Sequence, residues 1–489
     1  MTSTTPFPVA IESIDFYMRN VRTRIPFRYG NACLLGSPLL HVRLRARDSR
    51  GSVAEGVSAD ALPPKWFDKS PDKDYARNIE DLLTGIRHGA AAYLEAASTP
   101  KPVFTIWQEA YPESVKRTNA SGLNNLIGSF GSSLMERALF DATGILAGKS
   151  FHTLLRENGL GIVPESVHPE LADWPVKNTV TERPLEALYV RHTVGLSDPI
   201  FDADILDEDR VDDGLPHSLK AILQTHELHY FKIKIFGKLE IDVPRLTQIT
   251  NLLESSAPAD YRATLDGNEQ FKSPVDLKAW LDVVSKDPVL KKLIKRLVFI
   301  EQPMDRSIAM TEAGAQGFSG IADLPPVIID ESDDGLDVFK RAMALGYRGV
   351  STKNCKGVFK GLFNKMLIDR LNAKEGNRYQ LSGEDLTNLP VVPLQQDLCT
   401  LSCLGVTHAE RNGHHYYRGL EHLSETERES CLTTHDGLYE AWGRAGQLRI
   451  VGGQLDLRSL HVAGFGVGVP TDWHSMTPLA EWDYASMGF

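Results

Sequence analysis

Between residues 229 and 355 the sequence repeats one pattern five times, an apolar run that ends in charged or amide side chains. The runs are HYFKIKIFG (229–237), RATLDGNEQ (262–270), LVFIEQPM (297–304), PVIIDESD (326–333) and YRGVSTKNC (347–355). Similar runs flank them: ALYVRHTVGL (187–196), RYQLSGEDL (378–386) and CLGVTHAE (403–410). Helical segments separate these eight runs, an alternation typical of parallel strands joined by crossover helices. Eight such units predict an α/β fold of the (β/α) TIM-barrel type.

The rest of the chain predicts a second domain. Residues 1–160 contain strand patterns followed by helical patterns, which favour a small α+β domain. Residues 161–185 are rich in proline and polar residues, and we interpret them as a linker or insertion. The barrel is then expected over residues 186–445, and the segment 446–489 is again strand-like and rich in glycine.

The charged residues at the ends of the runs have a regular spacing. Lys234, Asp266, Glu301, Asp330 and Lys353 follow one another at intervals of 32, 35, 29 and 23 residues. These intervals are close to the roughly 31 residues of one β/α unit. Because the active sites of such barrels lie at the C-terminal ends of the strands, we expect three carboxylates side by side with a lysine on each flank.

That set of residues indicates a particular chemistry. Clustered carboxylates repel one another unless a cation lies between them, and Mg²⁺ prefers oxygen ligands. A substrate carboxylate bound to the metal has a more acidic α-proton, and the metal offsets the charge of the enediolate that forms. A lysine can take that proton only if its pKa falls well below its ordinary value. The sequence therefore predicts a magnesium-dependent enzyme that acts on a small carboxylic acid.

Composition argues against several other classes of protein. Acidic residues outnumber basic ones by 64 to 53, and a net charge of −11 disfavours a nucleic-acid partner. No apolar stretch approaches the roughly 20 residues that span a bilayer, and the first residues lack a signal-peptide pattern. We therefore expect no membrane partner and a cytoplasmic location. The cysteines are scattered and odd in number, which predicts reduced thiols at Cys33, Cys355, Cys399, Cys403 and Cys431.

The strand ends carry motifs that resemble those of the enolase superfamily, specifically its mandelate racemase and muconate lactonizing enzyme family. The resemblance covers nearly the whole chain. It implies that residues 1–160 form the family's capping domain and that residues 446–489 return to complete the cap. The family often forms symmetric oligomers, so a homo-oligomer is a further expectation. The matching motifs are Lys232-Ile-Lys234, Asp266-Gly-Asn268, Glu301-Gln302-Pro303, Asp330-Glu331-Ser332 and Lys353-Asn-Cys-Lys356-Gly357.

The resemblance also implies roles for individual residues. Lys234 and Lys353 would be the acid–base pair, on opposite sides of the substrate, and the metal ligands would be Asp266, Glu301 and Asp330. The mandelate racemase branch has an aspartate on the sixth strand and a histidine on the seventh. Here the sixth run carries a lysine and the seventh has no histidine, which favours the muconate lactonizing branch. Supporting or substrate-binding roles fall to Lys232, Asn268, Glu331, Lys356, Glu384, His408 and Glu410, with Arg28, Tyr29, Lys65 and Trp66 as candidates from the cap.

Two pairs of neighbouring residues require a choice. Side chains alternate along a strand, so Lys232 and Lys234 point the same way, and Lys234 is nearer the C-terminal end. We therefore expect Lys234 to be the base and Lys232 to lie deeper in support. Asp330 and Glu331 are adjacent and point to opposite sides. The family pattern favours Asp330, and Glu331 is the alternative if the strand ends early and the loop turns it inward.

Several functions remain open. The reaction is racemisation or epimerisation, cycloisomerisation, or β-elimination as in an acid-sugar dehydratase. A barrel that has lost catalysis and has a binding or structural role is a contrasting hypothesis, which the complete set of lysines and carboxylates disfavours. An unrelated phosphate-binding barrel enzyme would need glycine-rich loops after the seventh and eighth strands. Those two regions, RYQLSGEDLTNLP (378–390) and THAERNG (407–413), offer one glycine each.

Overall fold

The N-terminal part of the chain is an antiparallel sheet covered by helices. The structure, a computed structural model, describes residues 5–29, 32–318, 324–443 and 445–488, with the side chains of Tyr29 and Ala32 outside that description. The strands of the sheet are β1 (Pro8–Tyr29), β2 (Ala32–Asp48), β3 (Val53–Ala61) and the short β4 (Lys101–Pro102), which pairs with the start of β1. The helices are α1 (Tyr75–Ala96), α2 (Val103–Ala120), α3 (Asn125–Ala147) and α4 (Phe151–Arg156).

Local sequence explains these elements. Leu40, Val42 and Leu44 of β2 are buried, whereas Arg43 is half-buried and Arg45 is exposed, in partial agreement with the period-two pattern. His41, which occupies a polar position of the pattern, is buried as well. Helix α3 begins at the N-cap Asn124, whose side chain accepts from the amide of Ile127 at 3.1 Å.

The second part is a closed barrel of eight parallel strands. They are β5 (Ala187–Val194), β6 (Tyr230–Lys234), β7 (Arg262–Asp266), β8 (Leu297–Glu301), β9 (Val327–Ile329), β10 (Gly349–Thr352), β11 (Gln380–Gly383) and β12 (His408–Arg411). Each strand pairs with the next, and β12 pairs with β5 to close the ring. The predicted barrel with a separate α+β domain is thus confirmed.

Helices surround the barrel and connect its strands. They are α5 (Leu219–His226), α6 (Leu239–Ser256), α7 (Pro274–Val284), α8 (Leu290–Arg296), α9 (Arg306–Ala309), α10 (Glu312–Ala315), α11 (Val338–Ala344), α12 (Val358–Glu375), α13 (Val392–Cys403), α14 (Gly413–Tyr416) and α15 (Glu425–Thr434). Among the described residues, no helix is both long and apolar enough to cross a membrane. All five cysteines are free thiols.

The segment before the barrel is packed against its surroundings. Residues 161–185 form three short 3₁₀ turns, Pro164–Ser166, Pro169–Leu171 and Val176–Asn178. Leu171, Val176 and Val180 are buried, and Thr181 donates its amide to the carbonyl of Cys403 at 3.0 Å. This segment is therefore a fixed connection.

The C-terminal segment contacts the barrel first and then the cap. After the hairpin of β13 (Tyr439–Glu440) and β14 (Gln447–Leu448), β15 (Gln454–Asp456) pairs antiparallel with β5. Phe465 then donates its amide to Asp141 of α3 at 2.7 Å, and β16 (Thr477–Pro478) pairs with β1. Gly464 has φ +102°, and a Cβ there would lie 2.5 Å from the Asp141 carboxylate, so only glycine fits this turn.

Gly131→Ala is expected to destabilise the cap. A Cβ at Gly131 would lie 2.1 Å from the carbonyl oxygen of Gly85, so α1 and α3 must move apart. Overpacking of this kind costs about 1–3 kcal/mol, although alanine's better helix propensity offsets up to about 1 kcal/mol. Urea denaturation measures the loss in the free energy of unfolding. Gly335→Ala is the control, because its nearest new contacts are at 3.5 Å. Equal stability of the two variants would contradict the close helix contact.

Candidate active site

The polar residues at the strand ends come together around one mouth of the barrel. Lys234 ends β6, Asp266 ends β7, Glu301 ends β8, Asp330 follows β9 and Lys353 follows β10. All five are buried. In a ring of eight strands β6 and β10 lie four steps apart, so the two lysines approach from opposite sides. The three carboxylates belong to the strands between them.

Lys232 lies two residues deeper, at the centre of a group of carboxylates. Its register partner on β7 is Thr264, whereas that of Lys234 is Asp266. The Nζ atom of Lys232 lies 3.0 Å from Asp266, 2.8 Å from Glu301, 2.6 Å from Glu384 and 3.0 Å from Glu410. Burial acts to lower the pKa of Lys232, but these four carboxylates outweigh it and hold the pKa well above its ordinary value. Lys232 is therefore a permanent cation.

Lys234 is at the level of the mouth. Its Nζ donates to Asp266 Oδ2 at 3.0 Å and also to the side-chain oxygen of Asn268. Asn268 in turn donates its amide to Asp266 Oδ1 at 2.8 Å. Lys234 and Asn268 thus fix both oxygens of the Asp266 carboxylate.

Asp330 is held by the lysines that follow β10. Lys353 Nζ donates to Asp330 Oδ2 at 2.6 Å, Lys356 Nζ lies 3.3 Å from Oδ1, and Ser351 also donates to Oδ1. Burial acts to raise the pKa of Asp330, but the lysines outweigh it and hold the pKa well below its ordinary value. Burial likewise acts to lower the pKa of Lys353, and Asp330 raises it above its ordinary value.

Glu331 also reaches the mouth, because β9 ends at Ile329 and strand alternation does not extend to the turn that follows. The carboxamide of Gln302 shapes that turn by accepting the amides of Asp330 at 2.8 Å and Ser332 at 3.3 Å. Glu331 Oε1 accepts from the Asn268 side chain at 3.2 Å. Glu331 thus faces the mouth beside Asp330, and which of the two would bind a metal ion stays a prediction.

The donor atoms suit a hard cation. Both carboxylate oxygens of the fully buried Glu301, and Oε2 of Glu331, lack a hydrogen-bond partner in the described part of the chain. For Glu301, the 2.8 Å approach of Lys232 is an ion pair without hydrogen-bond geometry. Buried unpaired carboxylate oxygens are the ligand type that Mg²⁺ prefers. Within the described ranges no three His, Cys, Asp or Glu side chains are grouped as a metal site. Asp266 instead accepts from Lys234, and Asp330 accepts from Lys353.

A loop of the cap, residues 62–74, covers the mouth, and we call it the cap loop. Trp66 places its ring 4.6 Å from Lys353 Nζ. A pocket of about 400 Å³, including its opening to solvent, lies beneath and is lined by Phe27 of β1 as well as by Trp66, Lys234 and Lys353. The cap therefore forms one wall of the site.

Three charged residues that the sequence analysis missed hold the cap loop down. Arg306 donates to both oxygens of Glu269 at 2.7 and 2.9 Å and to the carbonyls of Trp66 and Phe67 at 3.0 and 3.1 Å. Lys69 forms an ion pair with Glu269 and donates to the carbonyl of Asn268 at 3.1 Å. No sequence signal identifies this set, since its members are distant in the chain.

The other candidates from the cap have different positions. Lys65 donates to the carbonyls of Ser70 and Lys73 and so braces the cap loop from within. Arg28 is exposed and does not line the pocket. The side chain of Tyr29 lies outside the described residues.

The last two barrel strands supply supporting residues. Glu384 and Glu410 lie inside the barrel and form ion pairs with Lys232 at 2.6 and 3.0 Å. Lys356 forms an ion pair with Asp330 at 3.3 Å. His408 begins β12 at the end away from the mouth, where it lies 2.7 Å from Arg191 and stacks on Tyr230 at 4.3 Å. Burial and Arg191 lower the pKa of His408 to about 3. It is a neutral histidine away from the mouth, and of the two roles considered for it this position favours the supporting one.

Asp385 is an additional member of the pocket. It lines the cavity beside Glu410 and accepts the amides of Asn388 at 2.8 Å and Asn412 at 3.1 Å. Burial raises the pKa of Asp385 to about 7, against the opposing effect of Arg411.

Solved structures share this architecture over nearly the whole chain. A 2-chloromuconate cycloisomerase from Rhodococcus opacus 1CP aligns with a TM-score of 0.59 at 14% identity, covering 95% of this chain and 98% of that one. The fold is that of the enolase superfamily. A dipeptide epimerase from Enterococcus faecalis V583, complexed with magnesium and a dipeptide, aligns with a TM-score of 0.57 at 13% identity over 94% and 99% of the two chains.

A third neighbour is an enolase superfamily member from Roseovarius nubinhibens ISM, complexed with magnesium. It aligns with a TM-score of 0.54 at 16% identity, covering 97% of this chain and all of that one. No protein-family model and no curated protein matches the sequence. The structural neighbours are thus superfamily enzymes of several kinds, and at this identity the likeness concerns the fold.

Arg306→Ala is expected to release the cap loop. Hydrogen bonds to charged groups contribute about 1.5–3 kcal/mol each, so amides in residues 62–74 should exchange with solvent at least about tenfold faster. Hydrogen exchange followed by mass spectrometry measures this. Arg370→Ala is the control, because it removes an equally bidentate pair, to exposed Asp173. Unchanged exchange in Arg306→Ala would show that other contacts close the loop.

Proposed function

We propose that the protein is a magnesium-dependent enzyme that removes the α-proton of a small carboxylic acid and returns a proton from the same or the opposite side. The observation that carries this proposal is the placement of Lys234 and Lys353 on opposite walls of one pocket, four strands apart in a ring of eight. Three buried carboxylates occupy the strand ends between them. Two ammonium groups facing one another across a carboxylate-rich floor suit proton transfer on either face of a bound acid.

Asp266, Glu301 and Asp330 are the residues that would hold the magnesium ion. When bound, the ion would orient the substrate carboxylate and offset the negative charge that develops as the α-proton leaves. Glu301 supplies two carboxylate oxygens with no hydrogen-bond partner among the described residues. Lys232 beneath them remains charged and limits the repulsion between the acidic side chains.

The pKa of Lys353 supports the proposal only when its partner changes. Asp330 now raises that pKa, while burial and the charge of Lys232 act in the opposite direction. If Asp330 held a magnesium ion, its carboxylate would be less available to Lys353, and burial together with the neighbouring positive charge would act to lower the pKa of Lys353. The Trp66 ring lies 4.6 Å from Lys353 Nζ, and both Lys353 and Asp330 are buried.

Proton abstraction predicts exchange of the α-hydrogen with solvent. A panel of carboxylic acids incubated in D₂O with the protein and magnesium should include at least one whose α-hydrogen is replaced, as followed by NMR. Lys234→Ala or Lys353→Ala should lower the rate about 10² to 10⁴-fold, the usual effect of losing a general acid or base. In a racemase or epimerase, Lys353→Ala should still exchange one stereoisomer. Wild-type rates in both variants would refute the assignment of the lysines.

Magnesium binding separates Asp330 from Glu331. Calorimetric titration with magnesium should show weaker binding by at least about tenfold for Asp330→Asn, comparable to or larger than the loss of an outer-shell partner. Glu331→Gln should bind nearly as the parent does, and Asp266→Ala and Glu301→Ala should weaken binding like Asp330→Asn. The reverse ranking of Asp330→Asn and Glu331→Gln would identify Glu331 as the ligand.

A further inference from the structure

We call the pocket lined by Lys234 and Lys353 the lysine pocket. A second pocket lies outside the barrel wall, on the other side of β12. It has a volume of about 540 Å³ including its opening to solvent, and it lies between the loop after β11, the end of β12, α14 and the stretch from Gln447 to Ile450. Side chains alternate along β12, so Glu410 points into the barrel toward Lys232, and Arg411 points outward to Asp397 of α13. The two pockets therefore lie on either side of β12, and they have no lining residue in common.

Arg411 brings unused hydrogen-bond donors to the second pocket. It lines the pocket, is 1% exposed, and donates Nη2 to Asp397 Oδ2 at 2.6 Å. Its Nε and Nη1 atoms have no hydrogen-bond partner in the part of the chain that the structure describes. The nearest other acid is Asp385, 3.8 Å from Nη1, which is too far for a hydrogen bond. Buried donors of a charged group are costly to leave unpaired, so a ligand that accepts from them gains stability.

Two further lining residues have free polar atoms. The hydroxyl of Tyr417 and Nδ1 of His414 have no hydrogen-bond partner among the described residues, and both atoms are buried. His414 Nε2 lies 3.1 Å from Nδ1 of His192, and when it accepts there the neutral ring carries its proton on Nδ1. Arg411, Tyr417 and His414 thus each bring a polar atom without a described hydrogen-bond partner to the lining of the same pocket.

The remaining lining is mixed. Four aliphatic side chains contribute to it, namely Leu215, Leu394, Leu448 and Ile450, together with the polar side chains of His226, Asn388 and Gln447. Asp397 offsets part of the charge of Arg411, and burial lowers the pKa of His414, so the pocket has many donors and little net charge. This combination matches a molecule with one acceptor-rich anionic end and an apolar body.

We propose that the second pocket binds a small molecule through a carboxylate or phosphate group, which accepts from Arg411, Tyr417 and His414, while its apolar part packs against the four aliphatic residues. The group shared by both classes of ligand is an oxyanion. This site goes beyond the proposed proton abstraction and does not depend on it.

Calorimetric titration of the full chain with butyrate, and separately with inorganic phosphate, tests the site. At least one probe should bind, and which one binds distinguishes a carboxylate site from a phosphate site. Tyr417→Phe should weaken binding of that probe about tenfold or more, since a hydrogen bond to a charged group is lost. Its thermal midpoint should not fall, because the hydroxyl has no partner to lose. Arg411→Lys, which keeps the charge and removes the fork of donors, should weaken binding further.

Tyr347→Phe is the matched control, since its buried hydroxyl donates to the carbonyl of Ala309 at 2.8 Å and does not line this pocket. It should bind the probe as the parent does. The proposal is wrong if neither probe binds at millimolar concentration. It is equally wrong if Tyr417→Phe binds the probe as tightly as the parent, because the oxyanion then lies elsewhere, for example between Lys234 and Lys353. Tyr417→Phe decides the matter even if Arg411→Lys fails to fold.

Discussion

The buried ammonium group of Lys232 is the interaction on which the barrel interior depends. Carboxylates from four strands approach it within 3.0 Å, and without a cation their repulsion in a dry interior would be prohibitive. One positive charge does not neutralise four carboxylates, and the pKa values of these carboxyl groups shift in different directions. Burial and neighbouring acids raise the pKa of Glu301, whereas the lysines lower that of Glu410 against the effect of burial. Arg191 supplies a second cation, on Glu384.

A second group of charged residues, Glu269, Lys69 and Arg306, connects the barrel to the cap. The turn after β7 places Asn268 over Lys234 and, one residue later, presents Glu269 to Lys69 and Arg306. Because Arg306 also binds the carbonyls of Trp66 and Phe67, the turn that orients a pocket lysine also anchors the loop above it. A change in the position of Asn268 would therefore alter both the orientation of Lys234 and the anchoring of the cap loop. The cap is in this sense part of the site.

The sequence predicts what periodicity and spacing control. Eight apolar runs at barrel intervals are enough for the ring, and one polar residue per unit at the strand end is enough to bring Lys234, Asp266, Glu301, Asp330 and Lys353 together. The sequence does not predict where each helix and strand begins and ends. The run CLGVTHAE (403–410) predicts one strand, but Cys403 ends α13 and β12 starts only at His408, so His408 lies at the end of the strand away from the mouth. Short apolar runs do not distinguish a helix end from a strand. The set of Lys69, Glu269 and Arg306 depends on contacts between distant segments, for which the sequence has no local signal.

The alternation of side chains along β12 gives each of the two pockets one of its charged lining residues. Alternation on β12 sends Glu410 inward to a lysine and Arg411 outward to an aspartate, so adjacent residues of opposite charge serve separate cavities. Asp385 lies at the boundary, since its carboxylate lines the lysine pocket and accepts the amides of Asn388, which lines the second pocket, and of Asn412. A buried charge is costly unless it is paired and hydrogen-bonded. Glu410 has Lys232, Thr193 and the amide of Asp385 as partners. Arg411 has a hydrogen-bond partner among the described residues for only one of its guanidinium nitrogens, so of these two neighbours it is Arg411 that still has hydrogen bonds to form.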